Sequence, residues 1–279
     1  MQFKKKLFSV ALVTMTIVRY GAAANAATLE EGWALYDNAN FAKSAEVFRA
    51  LKPIPTIALG ALCRMAVNNS AISDPATDLG YCTQGVDAND PESLRQMGYA
   101  RFAGNARMGV VQDQTLSFGY FSKAVIAGYA PASDTLCEIF YDNKAFARAA
   151  PFCKVAAAAN MSHALYYLAL MSVSGQGMIQ DLETGRKFAL LSASKNNFDS
   201  YILLSEMAKK GGIGKPKDNV AAYSWALLAG AANPEADLSG DRNALGLDAS
   251  HMEAAQKMAT SWKKMDVARW RDLYPAPPK

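Results

Sequence analysis

Small and apolar residues recur along this chain every three or four positions, while the strict apolar–polar alternation of a β-strand is scarce. Ala, Leu, Met, Lys and Glu dominate, so pattern and local propensity agree on helices throughout. One phrase occurs twice, 37 residues apart: Gly175-Gln176-Gly177-Met178-Ile179-Gln180-Asp181 and Gly212-Ile213-Gly214-Lys215-Pro216-Lys217-Asp218. Glycine permits the positive φ of a tight turn, and an Asp four residues later can cap the next helix by accepting from its free N–H groups. Small and aromatic residues then follow at helical spacing, Phe188, Ser192 and Ala193 in one copy and Ala222, Trp225 and Ala229 in the other. A second phrase, Tyr36-Asp37-Asn38-Ala39-Asn40-Phe41-Ala42, recurs as Tyr141-Asp142-Asn143-Lys144-Ala145-Phe146-Ala147, an offset of 105 residues or three units of 35. Periods of this size belong to stacked helical hairpins. The pattern predicts six hairpins beginning near Leu29, Thr56, Pro91, Ser133, His163 and Ser200, with a closing helix near 250–264.

The Gly-x-Gly-x-x-x-Asp phrase followed by Ala, an aromatic residue and Ala-Ala resembles the repeat of the Sel-one-like repeat (SLR) family, relatives of the tetratricopeptide repeats. The unit from Leu94 to Gly128 carries it loosely, with Met97-Gly98 in place of the first helix's Leu-Gly and Gly109-Val110-Val111-Gln112-Asp113 at the turn. The segments around Tyr36 and Tyr141 look closer to tetratricopeptide units, and Glu253 to Ala259, through Trp262, looks like the family's amphipathic closing helix. The resemblance implies an all-α fold, an α/α superhelical solenoid of antiparallel helix hairpins, over a single repeat domain from 27 to 279. Two departures stand out. Gly185 sits where the family has Ala, and the first helix around Tyr201 fits the Leu-Gly spacing poorly.

The N-terminus carries Lys4, Lys5 and Lys6, an apolar run from Leu7 to Val18 and small residues ending Ala24-Asn25-Ala26. This reads as a signal peptide over residues 1–26, too short in its apolar run to span a bilayer. Its removal takes four basic residues and no acid, leaving 25 Lys and Arg against 25 Asp and Glu. A neutral surface gives no general pull toward nucleic acid or anionic lipid. The expectation is a periplasmic or secreted protein with no nucleic-acid partner, no membrane insertion after signal cleavage, and a disordered Pro-rich tail at 275–279.

Cys63, Cys82, Cys137 and Cys153 all follow the signal, and an even count in an exported chain reads as two disulfides. Three connectivities are possible. Separations of 19 and 16 residues each match the path from one helix across a turn to its antiparallel neighbour, which favours Cys63–Cys82 and Cys137–Cys153. A metal site would want Cys-x-x-Cys spacing or nearby His, and neither is present.

Candidate chemistry is sparse, and no cofactor is expected. His163 and His251 lie far apart and sit in no motif. Ser192-Ala193-Ser194-Lys195 matches the Ser-x-x-Lys signature of penicillin-interacting enzymes, but Ser192 falls on a small packing position and the companion motifs are missing. Gly211-Gly212-Ile213-Gly214-Lys215 lacks both the preceding strand and the following Ser or Thr of a phosphate loop. Binding is therefore the expected activity. Projecting the tetratricopeptide pattern puts Arg95, Tyr99, His163 and Tyr166 on the concave face, with the alternative that Tyr99 and Tyr166 pack between hairpins. The resemblance implies a scaffold that binds a protein or peptide partner in that groove. Its rivals are a β-lactam or peptidoglycan-fragment binding protein or hydrolase, to which cysteine-rich members have been linked, and a purely structural spacer.

Overall fold

A computed structural model describes residues 28–68, 73–211, 216–236, 244–262 and 264. The expected signal peptide, the second Gly-x-Gly turn and the Pro-rich end lie outside these residues. Among the described residues are thirteen helices: α1 (Leu29–Asp37), α2 (Phe41–Ala50), α3 (Thr56–Val67), α4 (Pro75–Asp87), α5 (Pro91–Ala103), α6 (Gln114–Ile126), α7 (Ala130–Asp142), α8 (Phe146–Ala158), α9 (Ser162–Ser174), α10 (Leu182–Ser194), α11 (Phe198–Lys210), α12 (Asn219–Ala232) and α13 (Ala249–Ser261). The one bridge between extended segments, Asn105 to Val110, sits in the α5–α6 connection. The fold is an all-α solenoid of helix hairpins. It divides within α6 into two compact units, residues 1–120 and 121–279.

In the first unit α1 packs on α2 and α3 on α4, while α2 touches α3 and both α3 and α4 touch α5. In the second, the pairs α7–α8, α9–α10 and α11–α12 stack through α8–α9, α7–α9 and α10–α11 contacts, and α13 packs on α12. The helices are capped as the sequence asks. Asp113, Asp181 and Asp218 each accept from the backbone N–H three residues on, at 2.9, 3.0 and 2.8 Å. At the turn before Asp181, Gly175 has φ +76° and Gly177 φ +74°. A Cβ on Gly177 would lie 2.7 Å from the Phe146 carbonyl, so both conformation and space demand glycine there.

One position explains how the two helices of each hairpin approach. It is the eighth residue of the first helix in hairpins two to six, and Gly32 in hairpin one by the Tyr-Asp-Asn alignment. The residues are Gly32, Cys63, Gly98, Cys137, Ala169 and Ser205, all small. In hairpins one, three, five and six the fourth residue of the second helix stands across from them, and in hairpins two and four the eighth, Cys82 or Cys153. Ser44 donates to the Gly32 carbonyl at 2.8 Å and Ser117 to that of Gly98 at 2.8 Å. In hairpin six the direction reverses, with Ser205 donating to the Ala222 carbonyl at 2.9 Å. In hairpin five the fourth residue is Gly185, where a Cβ would meet Val173 at 2.6 Å. That contact accounts for the departure from Ala. Hairpins two and four use covalent bonds, Cys63–Cys82 with Cα atoms 4.6 Å apart and Cys137–Cys153 at 4.8 Å. From hairpin two onward the residue before the small one is large and buried: Leu62, Met97, Leu136, Leu168 and Leu204. The Leu-small pair is thus present around Tyr201 as Leu204-Ser205, a register the sequence reading missed because serine replaces glycine.

The Tyr-Asp-Asn phrase has the same geometry in both copies. Asn38 and Asn143 donate side-chain N–H groups to the carbonyls of Ala34 and Ile139, at 2.9 and 2.7 Å. Tyr36 meets Phe41 edge-on at 5.2 Å, and Tyr141 meets Phe146 at 5.2 Å. The next residue, Ala39 or Lys144, takes positive φ, +56° or +58°. An L-residue with a Cβ is strained there relative to glycine. In urea unfolding followed by circular dichroism, Lys144→Gly is expected to stabilise the protein by up to about 1 kcal/mol, and Gly177→Ala to destabilise it by more than about 1 kcal/mol. Equal effects of the two would overturn this account of the turns.

Candidate partner-binding faces

In the first unit, Arg95 and Tyr99 stand four residues apart on α5 and share one helix face. They line a cleft of about 750 Å³ together with Arg64 and Asn68 from the end of α3 and Asn105 and Arg107 from the α5–α6 connection. Behind it lies Glu92, in the first turn of α5, with a side chain that is wholly buried. Arg95 donates through Nε to Oε2 and through Nη2 to Oε1, both at 2.9 Å, while Arg64 Nη1 and Gln96 Nε2 reach Oε1 at 2.9 and 2.7 Å. Burial alone would raise the Glu92 pKa, but the charge and hydrogen bonds of Arg95, the charge of Arg64 and the Gln96 amide hold it down at about 2. Arg107 makes the parallel contact to the preceding hairpin: its Nη2 donates to the Ala66 carbonyl at 2.9 Å and to Oδ2 of buried Asp78 at 2.7 Å, while Ser73 donates to the other Asp78 oxygen.

Arg95 lines this cleft, but most of its guanidinium faces Glu92 and its side chain is only 11 % exposed. Arg64 and Arg107 were missed. By position Glu92 reads as an acid decorating a helix N-terminus, where the dipole favours negative charge. The signal that could have found it is the spacing of Glu92 to Arg95 and Gln96, which puts an acid three and four residues before two donors on one helix face.

In the second unit the equivalent first helices carry different chemistry. Tyr141 of α7 lies 4.7 Å from Tyr167 of α9, and Tyr166 lies 5.5 Å from Tyr167. Tyr166 is half-buried, and burial first, then the charge of Asp199, pushes its pKa up to about 12. Burial also raises Tyr167, helped by Glu138 and Asp142. His163 is exposed, with Nδ1 3.7 Å from Asp134 Oδ2. The Asp134 carboxylate raises the imidazole pKa, burial opposes, and Glu138 and Asp199 add to the rise. This face is aromatic and acidic where that of the first unit is cationic. Tyr166, expected either on the groove face or between hairpins, packs its ring against Tyr167 of the same helix and still reaches solvent.

Ser192 is fully buried and donates to the Ser162 carbonyl at 2.7 Å while accepting from Ser200 at 2.7 Å. With its hydroxyl engaged on both sides and no solvent path, it is a packing serine. His251 lies in the first turn of α13, where Asp248 caps the helix by accepting from the His251 backbone N–H at 2.9 Å and also lies 2.8 Å from its Nδ1. Among the described residues no three His, Cys, Asp or Glu side chains gather where they could hold a metal ion, and no helix is long and apolar enough to cross a membrane.

The family model described as Sel1 repeat matches residues 91–129, 162–197 and 199–234, the third, fifth and sixth hairpins. No curated protein sequence matches the chain. Among solved structures, a protective antigen present in uropathogenic Escherichia coli strains and displaying an SLR fold superposes with a TM-score of 0.68 at 17 % identity, over 84 % of this chain and 49 % of that one. A Sel1 repeat protein from Oxalobacter formigenes superposes with a TM-score of 0.66 at 19 % identity, over 84 % of this chain and 97 % of that one. The chain thus spans about half the length of the Escherichia coli protein. At these identities the likeness is one of fold.

Glu92 links the cleft to pH. Its folded pKa lies below the ordinary glutamate value of about 4.5, so its contribution is complete above about pH 4.5 and lost as pH falls through about 2. The contribution is of the order of 3 kcal/mol at neutral pH. Glu92→Gln takes the carboxylate charge from between two arginines, and we expect it to destabilise the protein by roughly 3–5 kcal/mol at pH 7 and to flatten the acid dependence of the urea midpoint between pH 4.5 and 2. A variant as acid-sensitive as the parent would refute the assignment.

Proposed function

Because the chain is a Sel1-repeat scaffold, we propose that it works by binding a protein or peptide partner along the exposed faces of its first helices, after export to the periplasm or the outside of the cell. The observation that carries this reading is a division of labour. Small residues and disulfides at the hairpin contacts are buried, whereas Arg64, Arg95 and Tyr99 in one unit and His163 and Tyr166 in the other retain exposure on first-helix faces. Aromatic and arginine side chains are those that dominate interface energetics. Two disulfides and no free cysteine among the described residues support an oxidising compartment, and with it the reading of residues 1–26 as a signal peptide.

The rival reading as a β-lactam or peptidoglycan-fragment hydrolase loses its candidate nucleophile with the burial of Ser192. The test is photocrosslinking in intact cells from a photoreactive residue at Tyr99 or Tyr166, with exposed Val155 on α8 as control. One envelope protein captured from the two tyrosine positions and not from the control is the expected result. Equal capture from Val155, or none from either tyrosine, would sink the reading.

A further inference from the structure

We propose that the cleft of the first unit takes the carboxylates of an acidic peptide segment; the inference rests on the scaffold reading above and gives that partner its chemistry. Among the described residues twelve line the cleft, and they include Arg64, Arg95 and Arg107 but no Asp or Glu. The carboxylates that balance these arginines, Glu92 and Asp78, have side chains with 0 % exposure, whereas those of Arg64, Arg95 and Arg107 are 27, 11 and 26 % exposed. A ligand entering the cleft therefore meets guanidinium edges and no opposing acid.

The buried acids also set geometry. Glu92 engages Arg95 through two donors and Arg64 through one, so a single carboxylate holds two long side chains from different hairpins in one arrangement. Asp78 and the Ala66 carbonyl hold Arg107 in the same way. Side chains already ordered lose little entropy when a ligand arrives, which is where preorganised sites gain affinity. Guanidinium groups match carboxylates with paired, charge-assisted hydrogen bonds.

The walls favour a peptide over a free anion. Val67, Ala100 and the half-buried ring of Tyr99 line the same cleft. Free phosphate would leave that apolar surface wet, whereas apolar side chains flanking an Asp or Glu would cover it. The chain beyond the signal is close to neutral, so the preference is local to this cleft and does not come from net charge.

The test is fluorescence polarisation with a fluorescein-labelled peptide alternating glutamate and leucine, and with its counterpart carrying lysine for glutamate, titrated with the full-length exported protein. The acidic peptide should bind, should weaken as NaCl is raised, and should outcompete an equal concentration of inorganic phosphate. Ala103 is exposed and lines the cleft without taking part in the ion pairs, so Ala103→Glu places an acid there with the fold intact by circular dichroism. It should weaken the acidic peptide by about tenfold or more, as should Arg64→Gln, which leaves Glu92 bound to Arg95 and Gln96. Equal binding of the lysine peptide, indifference to Ala103→Glu, or equal displacement by phosphate would overturn the proposal. If the acidic peptide fails while crosslinking from Tyr99 still captures a protein, this inference falls and the scaffold reading stands. If the peptide binds in the manner described and no protein is captured, the cleft assignment stands and the scaffold reading falls.

Discussion

Two helices of a hairpin can lie close only if what stands between them is small, and most of this structure follows from how that requirement is met six times. The gap is closed by a serine-to-carbonyl hydrogen bond in hairpins one, three and six, by a bare glycine in hairpin five and by a sulfur–sulfur bond in hairpins two and four. These solutions are physically different, and they meet the second helix at two levels: at its fourth residue in hairpins one, three, five and six and at its eighth, Cys82 or Cys153, in hairpins two and four. Each satisfies polar groups or removes them where water cannot enter, which is the condition for burying backbone this tightly. The residue before the small one then points into the core from the same turn of helix, so one short pair in the sequence sets both the approach and the packing.

Contacts between neighbouring hairpins differ in character along the chain. Between the second and third hairpins the contacts include ion pairs onto buried acids, Arg64–Glu92 and Arg107–Asp78, each joining side chains 28 or 29 residues apart. Between the fourth and fifth they include the tilted rings of Tyr141 and Tyr167, and between the sixth and the closing helix the ring of Trp225 set 4.9 Å from that of Trp262. Buried charge is an expensive way to hold two elements together and a selective one, because any other register leaves an acid or a guanidinium unpaired. The first unit thus fixes its register with charge, while the second relies more on apolar and aromatic surface.

Much of the fold was legible in the sequence because the repeat speaks through residues with local duties. Gly177 and Asp181 announce a turn and a cap, Tyr36 and Tyr141 announce the same hairpin corner twice, and the cysteine spacing picks out neighbouring helices. First helices begin at Leu29, Thr56 and Pro91 as expected, and at Ala130, Ser162 and Phe198 within three residues of expectation. Legibility failed where a residue's duty depends on a distant partner. Glu92 looks like any acid at a helix start until Arg64 arrives from another hairpin, and Arg95 looks like a groove residue until Glu92 claims most of its guanidinium. Ser205 hid a repeat position because its hydroxyl, bonded to the Ala222 carbonyl, does the work that glycine does elsewhere.

Each disulfide joins cysteines that are consecutive in the chain, Cys63 with Cys82 and Cys137 with Cys153. A polypeptide that emerges N-terminus first presents the first pair before either member of the second exists in the same space. An oxidant that simply links thiols in their order of appearance would make the right bonds, and no reshuffling step would be required to reach the finished connectivity. The covalent map can be written by the direction of synthesis, one hairpin at a time.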